Sequence, residues 1–267
     1  MKTFILTLAI ALMGITTFAQ NKNKTGIKKQ QTIVIVPGAW TDPSAWAYVI
    51  PSLKAKGFDV IAVTLPGHGS DTTSFAHINL QSYVDAVKNA IGDKTNIVLV
   101  GHSMAGIVIS QVAEDIPAQI KKLVYVAAYL PADGESLLAL AQTDADAHVG
   151  KYLQIDQATG SANIAKEDIV DAFVADSPKP VQEQVVAGFK ADPLAPLAGT
   201  VKLTAANFGS ITKTYIHTLN DHTVSYKLQL AMVAKAHVKK EYELPSSHTP
   251  FLSMPDKLAA IIINEAK

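Results

Sequence analysis

Four short runs of apolar, largely β-branched residues recur through the first half of the chain: Thr32–Val36, Asp59–Val63, Asn96–Val100 and Leu123–Ala127. The first is closed by Pro37-Gly38. Each reads as a strand buried on both faces, the kind found inside a parallel sheet. Between them, Trp46, Val49, Ile50, Leu53 and then Leu80, Val84, Val87, Ile91 recur at three- and four-residue spacing, which predicts helices. Gly57 and Gly92 sit where those helices should stop. Strand alternating with helix predicts an α/β fold, a mostly parallel sheet with helices on both faces.

The alternation breaks after Leu130-Pro131. From about 131 to 206 the chain is alanine-rich and interrupted by Pro178, Pro180, Pro193 and Pro196, with short helical stretches at Ile169–Phe173 and Val181–Phe189. An insertion at this point is expected to form a helical cap over the carboxyl edge of the sheet, where ligands of such folds bind. The series resumes with a strand at Lys213–Ile216, a helix at Val224–Ala236, a strand near Tyr242 and a helix at Pro255–Glu265. The expected organisation is one domain over 32–267 with the cap inside it.

Ahead of that domain, Met1-Lys2 and the apolar run Phe4–Phe18 end in Thr17-Phe18-Ala19, small residues at the positions a signal peptidase reads. Residues 1–19 are therefore expected to be a signal peptide and 20–31 a polar linker. The run is short for a bilayer span of roughly 20 residues, so export to a periplasm or the medium without a stable membrane anchor is expected. The chain has no cysteine, which excludes disulfides, thiolate chemistry and lipid attachment through cysteine. Lysine plus arginine equals aspartate plus glutamate at 23 each. A net charge of zero gives no electrostatic reason to expect nucleic acid or an anionic membrane as partner. A small, largely uncharged molecule fits better.

The strongest local signal is Gly101-His102-Ser103-Met104-Ala105-Gly106, directly after a buried strand and at the start of a helix over Ile107–Glu114. A serine at so tight a turn projects its hydroxyl above the sheet and needs small neighbours two residues away on each side. Gly101 meets that need, and Ala105 stands where a second glycine is usual. The plain alternative is a serine that only caps the helix. A serine hydroxyl needs a base, and in this arrangement the base follows the last strand. Ser247-His248-Thr249 lies there, which makes His248 the candidate. The other histidines read as surface or structural residues. Asp221, after the strand at 213–216, is the favoured orienting carboxylate, with Asp133, one strand earlier, as the alternative position. The expected oxyanion donors are the amides of Met104, next to the serine, and Ala39, in the loop Pro37-Gly38-Ala39-Trp40. The sequence contains no metal cluster motif or phosphate-binding glycine loop, and no cofactor is expected.

With these motifs in order, and with Leu65-Pro66-Gly67-His68-Gly69 between them, residues 31–264 resemble the plant methyl esterase and hydroxynitrile lyase family of α/β-hydrolases and its bacterial esterase relatives. The resemblance implies the α/β-hydrolase fold, a Ser103–Asp221–His248 triad, and Ala39 and Met104 as oxyanion donors. It also implies hydrolysis of small carboxylic esters through an acyl-enzyme. Two positions depart from the family pattern. Pro37-Gly38 replaces a usual His-Gly, and Thr249 occupies the position where the lyase branch carries a lysine. A lyase-like use of the same residues and a non-catalytic ligand-binding protein are the competing readings.

Overall fold

The structure is a computed structural model that describes residues 31–267. The expected leader at 1–19 and nearly all of the linker at 20–31 lie outside the described residues. Strands β1 (Thr32–Val36), β2 (Asp59–Ala62), β3 (Ile97–His102) and β4 (Ile120–Val126) alternate with helices α1 (Ile50–Ala55), α2 (Leu80–Ile91) and α3 (Ala105–Asp115). The insertion follows, with α4 (Leu137–Ala141), α5 (Val149–Tyr152), β5 (Leu153–Asp156), β6 (Ser161–Ile164), α6 (Ile169–Phe173), α7 (Lys179–Gly188), β7 (Asp192–Pro193) and α8 (Leu194–Ala198). The chain closes with β8 (Thr212–Thr218), α9 (Tyr226–Lys235), β9 (Lys240–Leu244), α10 (Pro250–Ser253) and α11 (Pro255–Ala266).

Six strands form one sheet in the order β2-β1-β3-β4-β8-β9, and every adjacent pair is parallel. Because successive side chains leave a strand on opposite faces, the apolar runs feed two cores. Val34, Val36, Leu99, Leu123, Tyr125 and Tyr215 pack with residues of α2, α3 and α9. Ile33, Ile35, Val98, Val100, Val124 and Ile216 pack instead against Trp46, Leu53, Leu258 and Ile262. Burying each such valine or isoleucine contributes about 1.5–3 kcal/mol. A strand apolar at every position is what a sheet covered on both faces requires. Helix α2 starts at a reciprocal cap, in which the Asn79 side chain accepts from the Ser82 amide and Ser82 Oγ accepts from the Asn79 amide. It stops at Gly92, whose φ of +55° suits glycine.

Beside its short helices, the insertion carries an antiparallel sheet in the order β5-β6-β7. The β5–β6 hairpin turns at residues 156–160, where Asp156 Oδ1 accepts from the Ala158 amide at 2.8 Å and Gly160 adopts φ +63°. The alanine-rich composition conceals these strands, because β5 is largely exposed and β7 is only two residues long.

The strand order places the site. The chain passes from β1 outward to β2 and then returns across β1 to β3, so the loops after β1 and β3 diverge and open a crevice between them. Since all six strands are parallel, the loops after β4, β8 and β9 emerge at the same edge.

Candidate active site

Ser103 leaves β3 with φ +53°, in the left-handed region that non-glycine residues avoid. Neighbouring backbone over-determines that strain. The Ser103 amide donates to Val126 O at 3.2 Å, and Ser103 O accepts from the Gly106 and Tyr129 amides at 3.0 and 3.1 Å. At Gly101 a Cβ would sit 3.0 Å from Ala105 O. The more demanding glycine lies one residue beyond the expected position: a Cβ on Gly106 would come within 2.0 Å of Tyr129 O. Ala105 is fully buried and fits. The need for glycine at 106 is additional to the small residue that the sequence pattern asks for at 105.

His248 and Asp221, from the loops after β9 and β8, meet in the buried interior, with His248 Nδ1 donating to Asp221 Oδ2 at 2.8 Å. Four further donors fix the carboxylate. Thr218 Oγ1 and Gln229 Nε2 reach Oδ2 at 2.7 and 3.3 Å, and the Thr223 and Val224 amides reach Oδ1 at 2.8 and 2.9 Å. Because Nδ1 carries the proton, Nε2 of His248 is left as the basic nitrogen. Asp133, the alternative acid, is exposed and accepts from the Leu203 amide. Ser103 lines a cavity beside the His248 cavity, and among the described residues no hydrogen bond joins its hydroxyl to the imidazole.

His102, one of the histidines that read in the sequence as surface or structural residues, connects the elbow to the His248 loop. Its Nε2 donates to His248 O at 2.9 Å, and the two rings lie 4.6 Å apart. Burial, reinforced by electrostatic repulsion from the neighbouring His248 ring, holds its pKa well below the ordinary value, so it is a neutral donor. Its Nδ1 faces Gly38, where a Cβ would stand 2.8 Å from that nitrogen and 3.0 Å from Ser103 Cβ. The loop after β1 therefore lies directly on the elbow, and only glycine allows the approach.

Beyond Gly38, Trp40 turns with φ +57°. Its amide donates to Asp192 Oδ1 at 3.0 Å and its indole Nε1 to Ala162 O at 3.0 Å, both in the insertion. Asp192 is buried, which raises its pKa against the opposing pull of His68, whose Nε2 stands 3.2 Å away. His68, from the Leu65–Gly69 turn, also contacts Thr41 O at 2.7 Å and Tyr83 Oη at 2.8 Å. The amides of Ala39 and Met104 donate to no protein acceptor among the described residues. Unpaired amides at so buried a place are rare in folded proteins.

Two cavities meet at Ala39 and Trp40. The larger, about 290 Å³, is lined by His248, Phe173, Phe189, Val185, Phe251 and Leu252 among others. The smaller, about 80 Å³, holds Ser103 and Met104 at its base, with Tyr129, Leu137, Leu138 and Leu197 around it. Both are predominantly apolar. Among the described residues no helix is long and apolar enough to cross a membrane.

A strained serine at a strand-to-helix turn, on the carboxyl edge of a six-stranded parallel sheet, defines the α/β-hydrolase fold. A family model described as the alpha/beta hydrolase family matches residues 33–261, and the chain belongs to that family. Among curated relatives, the putative chloroplastic methylesterase 11 of Arabidopsis thaliana is 29% identical over 245 residues, 86% of this chain. The chain spans 61% of that relative's length, and similarly partial lengths of the methylesterases 13 and 15. A pyrethroid hydrolase of Sphingobium wenxiniae is 27% identical over 253 residues, covering 88% of this chain and 87% of its own. The crystal structure of polyneuridine aldehyde esterase superposes with a TM-score of 0.79 at 19% identity, over 90% of this chain and 100% of that one. At that identity the likeness is one of fold.

Proposed function

We propose that the chain is a carboxylic ester hydrolase, with Ser103 as nucleophile, His248 as base and Asp221 as the orienting acid. As substrate fills the two cavities, the Ser103 hydroxyl turns toward Nε2 of His248, gives up its proton and attacks the ester carbonyl. The amides of Ala39 and Met104 receive the developing oxyanion. His248 returns the proton to the departing alcohol, leaving an acyl-enzyme. Water, deprotonated by the same nitrogen, then releases the acid. Apolar walls on both sides of Ala39 favour uncharged acyl and alcohol groups. Relatives named as methylesterases and as a pyrethroid hydrolase support ester chemistry.

The observation that carries this reading is the 2.8 Å contact between His248 Nδ1 and the buried, five-donor Asp221 carboxylate. It fixes the tautomer that a general base in this position needs. A lyase mechanism lacks its cation here, since Thr249 donates its hydroxyl to Phe173 O at 2.8 Å. Ser103→Ala should lower p-nitrophenyl acetate hydrolysis by at least about 10³-fold and abolish covalent labelling by a fluorophosphonate. Hydrolysis at the wild-type rate in that variant would refute the assignment.

A further inference from the structure

The chain brings three side chains from separate segments together at the junction between the insertion and the loop after β8. His148 Nδ1 lies 2.7 Å from Asp171 Oδ2, and His222 Nδ1 lies 3.0 Å from Asp171 Oδ1. All three ligand atoms fall within 4.8 Å of one another. The imidazole rings lie face to face at 4.2 Å with a 34° tilt, each presenting the same nitrogen to one carboxylate. The backbone fixes this arrangement, because the His148 amide donates to His222 O at 2.7 Å. Tyr152 Oη donates to Asp171 Oδ2 at 2.9 Å and orients the carboxylate from outside. The two rings are about a third exposed, which leaves room for water on the outer side.

We propose that His148, Asp171 and His222 form a binding site for one divalent transition-metal ion of the zinc class, separate from the hydrolytic residues. Two imidazole nitrogens and one carboxylate oxygen are a donor set that suits zinc and its neighbours, whereas magnesium and calcium require oxygen ligands. Metal bonds of about 2.0–2.2 Å place adjacent ligand atoms roughly 3–3.5 Å apart; the two nitrogen-to-carboxylate distances of 2.7 and 3.0 Å are already of that order, and the set closes from within 4.8 Å by small side-chain rotations. On binding, each ring carries its proton on Nε2 and turns the Nδ1 lone pair to the ion. The two Nδ1–H···O bonds are exchanged for metal bonds, and water completes the coordination. Since His148 and Asp171 belong to the insertion and His222 follows Asp221, the ion staples the insertion to the loop that carries Asp221.

The test uses the full chain without a histidine tag, stripped of metal by chelation and titrated calorimetrically with zinc sulfate. One ion per chain is expected, with a dissociation constant below about 10 μM. At a hundredfold excess over that constant, the melting temperature should rise by about 5–10 °C. Cobalt sulfate should give visible absorption bands, and magnesium sulfate no response. His148→Gln and His222→Gln should each weaken zinc binding at least about tenfold, with the metal-free melting temperature reporting that the variant is folded. Because the two substitutions lie on different segments, failure of one to fold leaves the other as the test. No saturable binding below about 1 mM zinc, or wild-type affinity in a folded variant, would show a hydrogen-bonded clamp without a metal and overturn the proposal.

Discussion

Replacing Gly38 by alanine separates the geometry of the site from the stability of the fold. Gly38 does not use a left-handed φ, so the added methyl costs nothing in backbone conformation. Its effect is steric: the new carbon would stand 2.8 Å from His102 Nδ1, 3.0 Å from Ser103 Cβ and 3.1 Å from His102 O. Ordinary contacts of this kind lie at about 3.5–4.0 Å, so something must give by about 0.7 Å at the His102 contact. His102 is anchored to His248 O, and Ser103 is held by three backbone hydrogen bonds. The displacement therefore falls on the Gly38–Ala39 peptide or is passed through His102 to His248. Either outcome shifts a reacting group. A misplacement of about 1 Å can cost on the order of 10²-fold in rate, so kcat for p-nitrophenyl acetate should fall about 10–100-fold. Overpacking should destabilise the fold by only about 1–3 kcal/mol. Steady-state kinetics beside thermal melting separate the two effects. A Gly38→Ala protein with kcat within twofold of wild type and an unchanged melting temperature would refute the close contact between loop and elbow.

Glu265 offers a test of pH dependence. Its side chain is 4% exposed; burial raises its pKa, but hydrogen bonds from Tyr242, Lys122 and Thr214 outweigh that effect and hold it down at about 2, against an ordinary 4.5. At about 1.4 kcal/mol per pH unit, the carboxylate contributes about 3 kcal/mol above pH 4.5, and this is lost as the pH falls toward 2. Glu265→Gln should therefore melt earlier than wild type at pH 7, with the gap narrowing through that acid window; a gap independent of pH would contradict the assignment. Separately, if the cleavage after Ala19 expected from the sequence occurs, N-terminal sequencing of the chain produced in a secreting host should find Gln20 first; an intact Met1 would remove the leader from the reading.

The middle of the central sheet was legible because strands buried on both faces, such as β1 and β3, are apolar at nearly every position, whereas the exposed edge strand β9 writes no such pattern. The elbow was legible for a related reason: a left-handed serine with backbone on every side tolerates only small neighbours. Where the sequence misled, the deciding contact lay outside the local window. Gly106 is required by Tyr129 O, a partner more than twenty residues away that a motif centred on the serine does not reach. The role of His102 depends on the His248 carbonyl, which no spacing rule along the chain exposes. Strand β5 is largely exposed, and β7 is two residues long with a buried Asp192 and Pro193, so neither carries a hydrophobic alternation. The grouping of His148, Asp171 and His222 exists only after the insertion has docked.

Trp40 reaches across the molecule with two bonds, its amide on Asp192 and its indole on Ala162. The insertion thus hangs from the same peptide stretch that holds Ala39. Swinging the insertion away would break both bonds and free the peptide next to Ala39, so the seating of the insertion and the position of that amide are coupled. Tyr48, on the wall of the larger cavity, is by contrast 54% exposed, so that cavity has a solvent-facing side that neither Trp40 bond guards.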